Sequence, residues 1–162
     1  MRAYVALGSN QGECMQLVVD AMAALDGMAN TRLIRRSFLY RTAPWGVTEQ
    51  PDFINAAVEL DSALEPRELL DGLLEIERVA GRKREGARWG PRTLDLDLLD
   101  YAGRAINEPG LTLPHPRIAE RAFVLLPLAD LAPDLEIPGQ GRVADLLAAI
   151  DLAGCHRLPG SA

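Results

Sequence analysis

A surplus of positive charge is the first thing this chain lacks. Its 17 Lys and Arg against 23 Asp and Glu leave a net charge of -6, so it has no broad basic face with which to neutralise a nucleic-acid backbone. Any anion it binds must be caught by a local cluster. Cysteine is nearly absent: Cys14 and Cys155 stand at opposite ends without CxxC or Cys/His spacing, which excludes a disulfide framework and a thiolate metal site and leaves both thiols unpaired. Long apolar runs are missing too. No stretch approaches the roughly 20 residues of a membrane span, and the run from Met1 to Gly8 is too short for the core of a signal peptide. The cytoplasm is the default setting. Repeats, linkers and low-complexity tracts are also lacking, so residues 1–162 are expected to form one domain, long enough to bury a core without staples.

What is present reads as alternating strands and helices. Ala3 to Leu7 is a short run of strand formers halted by Gly8-Ser9-Asn10, and Cys14 to Leu25 has helical spacing at Leu17, Val18, Ala21, Met22 and Leu25. Leu33 to Tyr40 and Phe53 to Leu60 predict two strands, divided by the loop from Arg41 to Asp52 with Pro44, Gly46 and Pro51. A second helix starts at Pro66, where a missing N–H is harmless, and is expected to stop at Gly81. Leu94 to Leu99 is the next strand. This order predicts an α+β fold of the split-βαβ or ferredoxin-like kind, an antiparallel βαββαβ sheet with both helices on one face. Beyond it, Tyr101 to Leu113 reads as a turn and short returning strand, Arg121 to Leu131 as a helix, and Val143 to Ile150 as a short helix after the Pro138-Gly139-Gln140-Gly141 loop.

The chemistry concentrates between Arg82 and Asp97. In Leu94-Asp95-Leu96-Asp97-Leu98 a period of two sends the leucines to the core and both carboxylates to the opposite face. Two carboxylates on one face repel, and Mg²⁺ suits such a pair because it keeps several waters and takes one or two carboxylates plus substrate phosphates. Asp100 falls on the leucine parity and is expected outside that site. Immediately before the strand, Arg82, Lys83, Arg84, Arg88 and Arg92 supply donors suited to phosphate oxygens, interleaved with Trp89 and the turn-forming Gly90-Pro91. A helix-to-strand loop of this length is more often functional than idle. Cations, an aromatic and paired aspartates together predict a nucleotide–metal site.

The stretch Arg88-Trp89-Gly90-Pro91-Arg92-Thr93-Leu94-Asp95-Leu96-Asp97-Leu98-Leu99 resembles the signature of the 6-hydroxymethyl-7,8-dihydropterin pyrophosphokinase family, which moves pyrophosphate from ATP to a pterin alcohol in folate synthesis. The likeness extends through Gly8-Ser9-Asn10, Tyr40-Arg41-Thr42, Gln50-Pro51-Asp52-Phe53-Ile54-Asn55-Ala56-Ala57 and Pro114-His115-Pro116-Arg117. By that resemblance Asp95 and Asp97 bind two Mg²⁺ ions, ATP is the co-substrate, and Arg82 and Arg92 stabilise charge during transfer. Glu77, Arg84, Arg88, Trp89, Arg92, Leu98, Thr112, His115 and Arg121 are implied on the ATP side. Thr42, Pro44, Trp45, Phe53, Asn55, Trp89 and Phe123 are implied around the pterin, and the loop from Arg82 to Arg92 is implied to close over both substrates. The family's members are usually monomers taking small-molecule substrates, with no nucleic acid or membrane partner. Three positions depart from its pattern: Phe53 stands where Tyr is frequent, Gly110 where a basic residue sometimes contributes, and Pro116 where some members carry an aromatic. His156 matches nothing in the pattern. Two rival readings use the same features, a phosphohydrolase that applies the aspartate pair to water and a ferredoxin-like RNA-binding module. The second would need a basic sheet surface with exposed aromatics.

Overall fold

The first strand is central because it is apolar on both faces. The computed structural model of the chain describes residues 1–10, 13–43, 51–82 and 94–159. In it β1 (Arg2–Ser9) is buried from Ala3 onward. The strand runs through Gly8 and Ser9 instead of halting at them. Helix α1 (Cys14–Asp26) buries Val18, Ala21, Met22 and Leu25, the stripe its spacing predicts. The stretch expected to be one strand from Leu33 to Tyr40 is two, β2 (Thr31–Arg36) and β3 (Tyr40–Thr42). Ser37 makes the break, since its hydroxyl accepts the Ala57 N–H at 2.9 Å in place of a ladder carbonyl.

Strand β4 (Phe53–Ser62) pairs along β1 on one side. On its other side it takes β2 along one half and β3 along the other. Helix α2 (Pro66–Arg82) opens with the Glu68 carboxylate accepting the Glu65 N–H at 2.9 Å, half of a capping box, and passes through Gly81 rather than ending there. Strand β5 (Asp95–Tyr101) closes the other edge of the sheet against β1. Counting β2 and β3 as one interrupted strand, the order is that of an antiparallel ferredoxin-like sheet. A hairpin follows, β6 (Ile106–Glu108) and β7 (Leu111–Leu113), and then helix α3 (Ala122–Leu131). A second hairpin, β8 (Glu136–Ile137) and β9 (Gly141–Arg142), leads into α4 (Val143–Ala148).

The two helices of the βαββαβ core, α1 and α2, share one face of the sheet as expected, and α3 covers the other. Leu69 and Leu73 of α2 join the α1 stripe, Leu94, Leu96 and Leu98 in one core. Val124, Leu125, Leu128 and Leu131 of α3 join Tyr4, Ala6, Ala57 and Leu99 in a second core on the reverse face. The segment after α4 forms β10 (Cys155–Arg157), which pairs with β3. Arg157 lies over the Phe38 ring at 4.5 Å, and the Leu158 N–H donates to the Leu39 carbonyl at 2.9 Å.

A bulge corrects the parity reading at Asp100. Val5 faces Leu98 but Tyr4 faces Asp100, so Leu99 is an extra residue on β5 and everything after it changes face. Asp100 therefore shares the face of Asp95 and Asp97, displaced along the strand beside Tyr4. It is 1% exposed.

Candidate active site

Three strands deliver their ends to one place. Gly8, near the end of β1, lies opposite Asn55 of β4 on one side and Asp95 of β5 on the other, while Ala6 lies between Ala57 and Asp97. Residues directly opposite share a face. This face therefore carries Phe53 and Asn55 on β4, the small residues Ala6 and Gly8 on β1, and Asp95 and Asp97 on β5. Strands are about 4.8 Å apart, so the β4 and β5 groups stand about 10 Å apart across a floor with almost no side chain. The first turn of α3 forms the roof. The enclosed cavity is about 280 Å³ and is lined by Ala6, Leu7, Gly8, Thr42, Ala43, Phe53, Asn55, Asp95, Asp97, Arg121, Phe123 and Val124.

Each wall has a local cause. Asn55 is 7% exposed and its amide donates to the Thr42 hydroxyl at 2.7 Å, which fixes the orientation of the carboxamide in the cavity. Gly8 is required beside it, because a Cβ there would lie 2.7 Å from the Asn55 Oδ1. Asp95 and Asp97 are half-buried, held by the alternation that buries Leu94, Leu96 and Leu98 on the other face. Glu77 of α2 accepts the Leu96 N–H at 2.7 Å, so a helix side chain satisfies the edge of β5 between the two aspartates. At the head of α3, Arg121 places its guanidinium carbon 5.7 Å from the centre of the Phe123 ring.

His115 approaches the same end from outside the sheet. Its N–H donates to the carbonyl of Leu99, the bulged residue, at 2.9 Å. Its Nδ1 accepts the Arg117 N–H at 3.2 Å. Burial lowers the imidazole's pKa, the nearby Arg121 and Arg117 charges lower it further, and Asp97 opposes them. A neutral ring with Nδ1 already accepting leaves its proton on Nε2, which is then a donor.

The structure thus brings together Thr42, Phe53, Asn55, Asp95, Asp97, Arg121 and Phe123 in one cavity, with His115 near Asp97. Two of the residues implied on the ATP side lie outside this cavity. The Leu98 side chain is 5% exposed in the core under α1 and α2, on the opposite face of β5. Thr112 is exposed on β7 between buried Leu111 and Leu113 and does not line the cavity. Pro44, Trp45, Arg84, Arg88, Trp89 and Arg92 lie outside the described residues, and Arg82 is described only as the last residue of α2. Ala6, Ala43 and Val124 were not foreseen. Of the residues that shape the floor, Gly8 alone had a sequence signal, a glycine directly after strand formers, which marks a close approach as often as a turn.

The cavity's donors include carboxylates of the kind a divalent cation takes. Among the described residues no group of three or more His, Cys, Asp or Glu gathers into a protein-made cage. Two aspartates on one strand face, their Cα atoms about 7 Å apart, are instead the kind of donors Mg²⁺ takes when water and substrate phosphates complete its shell. The residues fit that cation.

Comparison with known proteins agrees with the geometry. The sequence model of the family described as 7,8-dihydro-6-hydroxymethylpterin-pyrophosphokinase (HPPK) matches residues 4–133. A 2-amino-4-hydroxy-6-hydroxymethyldihydropteridine pyrophosphokinase of Pseudomonas aeruginosa is 47% identical over 160 residues, 99% of this chain and 98% of that protein. The folate synthesis bifunctional protein of Arabidopsis thaliana is 44% identical over 140 residues, 86% of this chain and 29% of that larger protein. Wild-type HPPK-DHPS of Plasmodium falciparum superposes with a TM-score of 0.72 over 91% of this chain at 14% identity, a likeness of fold. The chain spans less than half of that structure, 44% of its length.

Proposed function

The chain belongs to the 7,8-dihydro-6-hydroxymethylpterin-pyrophosphokinase family, and from that premise we infer that it transfers pyrophosphate from ATP to the hydroxymethyl group of a 7,8-dihydropterin, giving AMP and the pterin diphosphate for folate synthesis. One observation carries the assignment of the site. A single cavity has the Phe53 ring and an oriented amide on its β4 side, the Phe123 ring in its α3 roof, and paired carboxylates on its β5 side.

In this reading the flat pterin lies between Phe53 and Phe123, with the Asn55 carboxamide and Thr42 reading its edge. ATP approaches from the β5 side, where Asp95 and Asp97 would hold divalent cations and Arg121 and the His115 Nε2–H meet phosphate oxygens. Mg²⁺ bound there supplies charge neutralisation for both the attacking and the leaving oxygen. The pterin hydroxyl oxygen forms a bond to the β-phosphorus as the bond from that phosphorus to the α,β-bridging oxygen breaks. AMP leaves with the bridging oxygen, and the hydroxyl proton is released. Transfer of this kind asks the protein mainly for positioning and charge stabilisation, so no general base is assigned. Arg82 and Arg92 complete the charge stabilisation, with Arg84, Arg88 and Trp89 closing over the substrates. Glu77, through Leu96, keeps β5 in register beneath the aspartates. The protein acts as a single-domain monomer on small molecules, and its acidic balance of -6 supports the part of this reading that leaves out a nucleic-acid partner.

Alanine substitution tests the division of labour. Asp97→Ala is expected to lower turnover by about a thousandfold, since charge stabilisation of this type is worth several kcal/mol of barrier. Pterin affinity measured without nucleotide should remain that of the parent. Turnover within about tenfold of the parent would remove Asp97 from the reaction.

A further inference from the structure

The Pro138-Gly139-Gln140-Gly141 turn, which the sequence marks as a mere connection, points a side chain into the segment that carries His115. Pro138 and Gly139 occupy the central positions of a turn closed by the Gln140 N–H on the Ile137 carbonyl at 2.9 Å. Gly139 has φ +75, as a type II turn requires. The turn is rigidly based: Ile137 is 1% exposed and Val143 is fully buried in the second core, and the Val143 N–H donates to the Leu135 carbonyl at 2.9 Å. From this base the Gln140 carboxamide makes two bonds in opposite senses. Its Nε2 donates to the His115 carbonyl at 2.9 Å, and its Oε1 accepts the Ala119 N–H at 3.2 Å.

Those two bonds clamp the main chain on both sides of Arg117, whose N–H in turn holds the His115 Nδ1. On its other side the His115 N–H is held by Leu99 of β5. The His115 peptide is thus suspended between the sheet bearing the aspartates and the α3–α4 layer, and Gln140 is the link to the second. We propose that Gln140 is a positioning residue for the nucleotide end of the site, holding the His115 imidazole toward Asp97 and Arg121 with its Nε2–H directed outward for a phosphate or ribose oxygen. Residue 140 lies beyond the 4–133 matched by the family. The role rests on the reading that His115 meets ATP.

Three variants separate the possibilities. Gln140→Met keeps the side-chain volume and removes both bonds; Gln140→Glu keeps the acceptor for Ala119 and loses the donor to His115; His115→Ala removes the group being positioned. Affinity for a non-hydrolysable ATP analogue with Mg²⁺ is measured for each, alongside pterin affinity without nucleotide and the ¹⁵N signals of the histidine ring. Both Gln140 variants should weaken ATP-analogue binding by about five- to tenfold, the size expected when the one hydrogen bond from the His115 Nε2–H to the nucleotide is lost. Pterin affinity should stay at the parental value. The His115 ¹⁵N pattern should move from a fixed Nε2–H tautomer toward the average of a free imidazole. Parental ATP-analogue affinity in Gln140→Met with a weakened His115→Ala would overturn the positioning role. Equal loss of both ligands in Gln140→Met, with an unmoved ¹⁵N pattern, would also overturn it and leave Gln140 a plain structural residue. Parental affinity in His115→Ala would instead overturn the nucleotide reading on which the proposal stands.

Discussion

Gly8 shows how much of this site depends on atoms that are missing. Its backbone is ordinary extended strand, so the requirement for glycine is one of space: a methyl group there meets the Asn55 Oδ1 at 2.7 Å. Gly8→Ala should fold, displace the Asn55 carboxamide from its bond to Thr42, and weaken pterin binding by about tenfold, the value of roughly one well-placed hydrogen bond. ATP-analogue affinity should stay near parental. Calorimetric titration of the two ligands checks this, and equal losses for both would assign Gly8 to general packing. Single residues were legible where a simple period governed them. Asp95 and Asp97 face the cavity because the intervening leucines are buried, and the same period puts the Leu98 side chain in the core. The space above Gly8 and Ala6 was not legible, because it depends on which residues of β4 and β5 come to lie beside them, and no local pattern encodes that register.

Among the elements, β5 carries the most consequence. Its bulge at Leu99 turns that residue into the second core, gives its carbonyl to His115, and moves Asp100 onto the face of Tyr4. Asp100 is buried there; its Oδ2 accepts the Gly103 N–H at 3.1 Å while its Oδ1 finds no hydrogen-bond partner among the described residues. Burial pushes its carboxyl above the ordinary carboxylate range, with the Gly103 bond opposing. The folded chain therefore keeps this proton to higher pH than the unfolded chain does. Stability from this group is fully present below its ordinary pKa of 3.8, and it is lost as pH rises from there through the folded value. Asp100→Asn keeps an acceptor for Gly103 and removes the charge. Its melting temperature relative to the parent should climb as pH is raised from about 4, and melts at a series of pH values read this directly. A constant difference would show that Asp100 titrates as it does unfolded. Sequence parity could not reveal the bulge, since a local insertion in one strand is visible only against its partner. The terminal strand β10 was hidden for another reason: Cys155-His156-Arg157 has no apolar alternation, and backbone bonds to β3 hold it in the sheet.

For the whole molecule, the ferredoxin-like order was readable from alternating hydrophobic periods, whereas the second helical layer was not. Nothing in the spacing of Val124, Leu125, Leu128 and Leu131 says which sheet face they cover. That layer matters because α3 roofs the cavity and the β8–β9 hairpin braces His115. The three-layer arrangement sets Phe53 and Asn55 of β4 beside Asp95 and Asp97 of β5 across β1, and in the proposed reading the two substrates meet there. Phosphorus NMR of the protein with ATP, Mg²⁺ and 6-hydroxymethyl-7,8-dihydropterin tests this account most directly. It predicts that ATP is converted to AMP and a pterin diphosphate, with no turnover when the pterin is left out. Formation of ADP, or release of phosphate from ATP without pterin, would contradict it.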